Sequence, residues 1–133
     1  MIVVDSSVLI DFLRGETTPA TERLAQMEDD QVPFAIPLVC FQELLQGARD
    51  EKEWKLLDEY LGTQRLLVPT DPKKSHREAA RIFFDGRRRG LTIRSTIDCL
   101  IAAQVLEEGG TLLHDDADFE TIAKVRPLKA TRA

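Results

Sequence analysis

Four carboxylates of this chain stand where a carboxylate is costly. Asp5 directly follows the apolar run Ile2-Val3-Val4, and Asp116 lies a few residues beyond Thr111-Leu112-Leu113. Glu43 sits among Phe41, Leu44 and Leu45, and Asp98 stands beside Ile101 and Ala102 at helical spacing. A carboxylate against apolar surface must be paired, hydrogen-bonded or bound to a cation. Several that converge repel one another and raise one another's pKa, a conflict that a divalent cation resolves. Oxygen donors without thiolates suit Mg²⁺ or Mn²⁺ over zinc. Such a site activates water and neutralises the charge of a phosphodiester during in-line displacement.

Each acid also has a local explanation. Asp98 follows Ser95 by three residues, the spacing of a capping box. Asp5 is placed to cap a helix near Ser6. Glu43 could pair with an arginine of a long helix, and Asp116 or Asp118 could cap the short helix that follows them. His114 is either a hydrogen-bonding residue at a strand end or a ligand or proton carrier. Spacing alone leaves these alternatives open.

The elements that must position these residues alternate. Strands are expected at Ile2–Val4, 32–36, 65–68 and Thr111–Leu113, with a last one at 125–128 weakened by Pro127. Helices are expected after Ser6, from Pro19 to Met27, from Leu38 to Ala48, and from Asp50 to Leu61. Further helices are expected from Pro72 to Arg88, from Ser95 to Val105, and from Asp118 to Lys124. Strands separated by helices imply parallel crossovers and a three-layer α/β/α sandwich with a mostly parallel central sheet. In such sheets sites form beyond the carboxyl ends of the strands, where Asp5 and Asp116 stand. No linker or repeat interrupts the chain, so one domain over residues 1–133 is expected.

Composition narrows the class. The 133 residues are 43% hydrophobic and 31% charged, a globular balance. No apolar run reaches the ~20 residues that cross a bilayer. The N-terminus lacks the basic and small-residue signature of a secretory signal, so a cytoplasmic location is expected. Cys40 and Cys99 read as reduced core residues. The formal net charge is −5, yet basic residues cluster: Arg87, Arg88, Arg89 and Arg94 in one stretch, Lys124, Arg126, Lys129 and Arg132 in another. Both could contact phosphates, or simply favour a helix C-terminus and solvent. No Gly-x-Ser-x-Gly elbow, Gly-rich phosphate loop or Gly-x-Gly-x-x-Gly occurs, which disfavours serine hydrolases, P-loop NTPases and dinucleotide enzymes.

The segments Val3-Val4-Asp5-Ser6-Ser7, Gln42-Glu43-Leu44, Asp98-Cys99-Leu100-Ile101-Ala102-Ala103, and Leu113-His114-Asp115-Asp116-Ala117-Asp118-Phe119 after Gly110 occur in this order over nearly the whole chain. This pattern resembles PIN-domain ribonucleases, in particular VapC-type toxins of bacterial toxin–antitoxin modules. The resemblance implies that Asp5, Glu43, Asp98 and Asp116 form an acidic quartet holding Mg²⁺, with Mn²⁺ as a substitute. Asp118 would assist at a second metal position, and Ser6 would orient a ligand or water. It also implies RNA hydrolysis leaving a 5′-phosphate and a 3′-hydroxyl, with tRNA as a target class, a homodimer, and a cognate antitoxin laid over the acids. His114 departs from the threonine common at its position, though a subgroup carries histidine. The competing expectation is a catalytically inactive PIN fold that binds a protein partner. A phosphoacceptor domain fits poorly, because the second and third strands are followed by Pro37 and Pro69 instead of an acid.

Overall fold

A computed structural model describes residues 1–132. Its strands are β1 (Ile2–Val4), β2 (Phe34–Pro37), β3 (Leu66–Leu67), β4 (Thr111–Leu113) and β5 (Ala130–Thr131). The helices are α1 (Ser6–Leu13), α2 (Pro19–Asp29), α3 (Leu38–Gln46), α4 (Glu51–Gly62), α5 (Pro72–Arg88), α6 (Thr96–Glu107) and α7 (Ala117–Ile122). The sheet has the order β3-β2-β1-β4-β5, and every pairing is parallel. The crossovers from β1 to β2 and on to β3 advance in one direction, and that from β3 to β4 returns. With right-handed connections this sets α1–α4 on one face of the sheet and α5–α6 on the other. Accordingly, α1 packs on α2 and α3, and α3 on α4, while α6 packs on α5 and α7. The expected α/β/α sandwich is the architecture observed.

The order creates a switch point between β1 and β4, the address of ligand sites in open parallel sheets. Val3 pairs with Leu112 and Val4 with Leu113, so the chain leaves both strands side by side. The Asp5 amide donates to the Leu113 carbonyl at 3.0 Å, which fixes the exit of β1 against β4. Helix α3 follows β2 and α6 precedes β4, so both begin at this same sheet edge. Apolar burial holds the frame: Val3, Val4, Ile36 and Leu112 are fully buried between the layers. Gly110 lets β1 come close, since a Cβ there would lie 3.1 Å from the Met1 carbonyl oxygen.

Several local expectations shift. The final strand is Ala130–Thr131, not 125–128. Pro127 has no N–H for a ladder, and the Val125 amide instead donates to Ile122, extending the turn after α7. Lys129 and Thr131 supply the carbonyls that accept from Leu112 and His114. The cap of α1 is Asp5, as its place before Ser6 allowed: its side chain accepts from the Ser7 amide, and Ser6 is the first helical residue. Trp54, a large aromatic in an amphipathic stretch that by pattern reads as packed, is substantially exposed on α4. Asp50, Asp71 and Ser95 cap α4, α5 and α6, each side chain accepting a backbone amide of the first turn. Among the described residues no helix is long and apolar enough to cross a membrane.

Candidate metal centre

The five acids come from four places in the chain and meet at the carboxyl edge of β1 and β4. Asp5 is buried just past β1, with one oxygen accepting from both the amide (3.0 Å) and the hydroxyl (2.6 Å) of Ser7. Its other oxygen faces the Cys40 thiol, Sγ to Oδ1 3.6 Å. The Ser7 hydroxyl in turn accepts from the Asp115 amide at 3.0 Å. One side chain thus ties the loop after β1 to the loop after β4, residues 108 apart in sequence.

Asp98 occupies the first turn of α6 and is buried, yet its Oδ2 has no hydrogen-bond partner among the described residues. The capping-box explanation accounts for its backbone only: the Asp98 amide donates to Ser95 Oγ at 3.4 Å. The acid that accepts from the Ser95 amide is Asp118, at 3.0 Å, and Asp118 also accepts from the Arg94 amide at 3.3 Å. Asp118 therefore takes the return bond of the box from another element, which leaves the Asp98 carboxylate free. Asp116 caps α7 by accepting from the Asp118 amide at 2.9 Å. One ligand oxygen from each of Asp98, Asp116 and Asp118 lies within 4.8 Å of the others.

Electrostatics links the rest. Burial pushes the Asp98 carboxyl up to about 8, and the charges of Asp5, Asp116 and Asp118 push the same way. Burial followed by the Asp5 charge also raises Glu43, whose Oε1 accepts from Ser6 Oγ at 3.4 Å. Among the described residues no ion pair involves Glu43, so the arginine partner considered from sequence is not what holds it. Mutual repulsion among acids, with a buried oxygen left unpartnered, fits a hard divalent cation held by carboxylates.

His114 is buried, and its Nδ1 accepts from the Asp116 amide at 3.2 Å, which assigns the proton to Nε2. Its ring stands 5.0 Å from that of Phe119. Burial lowers its pKa, against the pull of Asp5, so it is a neutral brace for the Asp116 loop at pH 7. Cys99 is buried, its thiol pushed up to about 11 by burial, and it stands outside the carboxylate group. Of the basic residues, Arg94 reaches the site, with Nε 3.6 Å from Asp118 and the side chain largely exposed. Arg87 and Arg88 lie over the rings of Phe83 and Phe84, and Arg89 donates to the Lys124 carbonyl at 2.8 Å. Sequence reasoning missed Ser7 and Cys40. Ser7 stands two residues after Asp5, where a hydroxyl can fold back onto it, and Cys40 stands one helical turn before Glu43.

Comparison with known proteins decides the family. The PIN domain profile matches residues 2–125. This chain is a member of the PIN-domain family. It is 34% identical to VapC ribonuclease Mb1587 of Mycobacterium bovis over 134 residues, covering 98% of this chain and 97% of that protein. Ribonuclease VapC11 of Mycobacterium tuberculosis matches equally, at 34% identity over the same shares. Among solved structures, VapBC-1 of nontypeable Haemophilus influenzae superposes with a TM-score of 0.74 at 18% identity, covering 98% of this chain and 97% of that one. VapBC-5 of Mycobacterium tuberculosis, described as a member of a family of toxin–antitoxin systems, gives a TM-score of 0.68 at 21% identity with 98% and 97% coverage. These likenesses support the PIN fold assigned here.

Proposed function

We propose that this PIN-domain chain is a divalent-metal-dependent endoribonuclease toxin, neutralised by a cognate antitoxin. Full-length relatives at 34% identity carry the name VapC ribonuclease, and the solved neighbours are toxin–antitoxin assemblies. One observation carries the chemistry: the buried, unpartnered Asp98 oxygen among the carboxylates of Asp116 and Asp118. These three residues would hold Mg²⁺ or Mn²⁺, with Asp5 and Glu43 bordering it. The cation would neutralise phosphodiester charge and lower the pKa of an attacking water.

The chain's own groups do the remaining work. Ser7 and Cys40 hold the Asp5 carboxylate in one orientation, and neutral His114 holds the Asp116 loop. Ser6 orients Glu43 by donating to its Oε1, and the raised pKa of that carboxyl suits it to carry a proton. Arg94, exposed beside Asp118, takes a non-bridging phosphate oxygen, and Arg87, Arg88 and Arg89 contact RNA backbone nearby. Water breaks the P–O3′ bond, leaving a 5′-phosphate and a 3′-hydroxyl. One domain over residues 1–133 works as a homodimer in the cytoplasm, on structured RNA such as tRNA. The inactive-module alternative has no observation in its favour, since every acid of the proposed set is present.

The test is cleavage of total RNA by purified protein. Expected are discrete fragments with 5′-phosphates in Mg²⁺ or Mn²⁺, abolished by chelator and by the purified antitoxin. Cleavage that persists in chelator, or none with either metal, overturns this function.

A further inference from the structure

Helix α5 carries a charge opposite to that of the whole chain. Between Pro72 and Arg89 stand seven lysines and arginines against two acids, Glu78 and Asp85, in a chain of formal net charge −5. Both acids are engaged: Arg126 donates to Glu78 at 2.9 Å and to Asp85 at 2.8 Å, and Arg81, still largely exposed, also pairs with Asp85 at 3.0 Å along the helix. The cations are ordered. Lys74, Arg77, Arg81, Phe84 and Arg88 recur at alternating steps of three and four residues, so they share one helix face. All five are exposed, whereas Ser75, Ala79, Ile82 and Gly86 on the opposite face are buried.

The aromatic member is set for stacking. The Arg81 guanidinium lies 5.0 Å and that of Arg88 5.7 Å from the Phe84 ring centroid, and the ring remains 38% exposed. Lys74, Arg77, Arg81 and Phe84 line one wall of a groove of about 700 Å³, whose far wall includes Ala103 and Leu106 of α6. Glu107, also at the groove, is held by the Ser75 hydroxyl at 2.8 Å. That same bond joins the start of α5 to the end of α6, so the two helices run antiparallel. The last turn of α5 therefore lies beside the first turn of α6, where Asp98 stands. The stripe leads away from the acids over a helix about 25 Å long.

We propose that this face of α5 is a subsite for single-stranded RNA. Lys74, Arg77, Arg81 and Arg88 take successive phosphates, Phe84 stacks one base, and the strand is guided toward the carboxylates at the helix end. The subsite rests on the ribonuclease function given above. An exposed aromatic between cations serves an unpaired base, because a duplex hides its base faces. A second copy of the chain is a poor occupant, since a two-fold pairing of this face would set cations against cations.

The test is steady-state cleavage, in Mn²⁺, of an unstructured oligonucleotide spanning a mapped cut position, over a range of salt. For the fourfold variant Lys74→Gln, Arg77→Gln, Arg81→Gln and Arg88→Gln, KM should rise at least about tenfold with kcat within about twofold. The salt slope of log kcat/KM should fall by about 3 if four single-strand phosphate contacts are lost. Phe84→Leu should raise KM about fivefold and leave the slope unchanged. Lys52→Gln with Lys55→Gln on α4 should change neither. Unchanged KM and slope in the fourfold variant, with active wild type, overturn the subsite and leave the ribonuclease function standing. A wild type inert toward RNA overturns both. A fourfold variant that sediments as a monomer where the wild type is a dimer reassigns the face to self-association.

Discussion

Replacing Asp98 by Asn should stabilise the metal-free protein at neutral and alkaline pH while weakening its hold on divalent cations. Asp98 is 7% exposed, its carboxyl lacks a partner at Oδ2, and burial raises its pKa to about 8 in the fold. An unfolded aspartate titrates near 3.9. Between those values the folded chain keeps a proton that the unfolded chain has released, so stability falls as pH rises through the window. The slope is at most about 1.4 kcal/mol per pH unit, and the whole window sets a ceiling of about 6 kcal/mol. Asp116 is half-buried, so water and salt reach the cluster and screen part of this. A recovered difference of about 2–3 kcal/mol at pH 8 is expected, or about 10 °C in Tm for a domain of this size. Below about pH 4, where folded and unfolded carboxyls both keep the proton, variant and wild type should coincide. Urea and thermal unfolding in chelator from about pH 3.5 to 9 measure the difference between the two proteins, which isolates Asp98 from other titrating groups. Repeating the series with Mn²⁺ should stabilise the wild type strongly and the variant little, because only the form that binds the ion gains. An Asp98→Asn protein less stable than wild type at pH 8, or a difference independent of pH, would refute the reasoning.

Asp5→Asn should abolish RNA cleavage in Mg²⁺ and leave a folded protein, as judged by circular dichroism; wild-type cleavage at limiting Mg²⁺ would show the site misassigned. Ser7→Ala removes bonds to both the Asp5 carboxylate and the Asp115 amide. It should lower kcat/KM about 10–100-fold through loss of metal-site order and cost about 1–2 kcal/mol of stability. Ser6→Ala, which loses only the 3.4 Å bond to Glu43, should do less in the same assays. His114→Thr should keep Mn²⁺ affinity by calorimetric titration and most of the cleavage, at a cost of about 2 kcal/mol from lost packing on Phe119; a large loss of Mn²⁺ affinity would make His114 a ligand.

Local chemistry made much of this fold legible. Asp71-Pro72 opens α5 and Gly90, with φ +73°, closes its end, because capping and glycine conformation act over a few residues. β1 and β4 read directly from apolar runs closed by polar residues. β5 did not, because Ala130-Thr131 has no apolar run of its own and is a strand only through the hydrogen bonds that β4 exchanges with it. Trp54 misled for the opposite reason: a large aromatic on an amphipathic helix reads as core, yet α4 turns it outward.

From the sequence alone followed the alternation of strands and helices, the parallel α/β/α class, and the placing of Asp5 and Asp116 just beyond strands. These depend on neighbours within a few positions, which the chain carries as pattern. Convergence did not follow, and the tertiary structure decided it. The order β3-β2-β1-β4-β5 sets β1 beside β4, and the crossovers bring the starts of α3 and α6 to the same edge. Asp98 is the plainest case. Its spacing from Ser95 equally described a capping acid, and it became a free carboxylate only because Asp118, 23 residues beyond Ser95, accepts the amide bond that a local box would have used. Which acid takes that bond depends on how α7 packs against α6, and that follows from the burial of side chains distant in sequence, which no local spacing encodes.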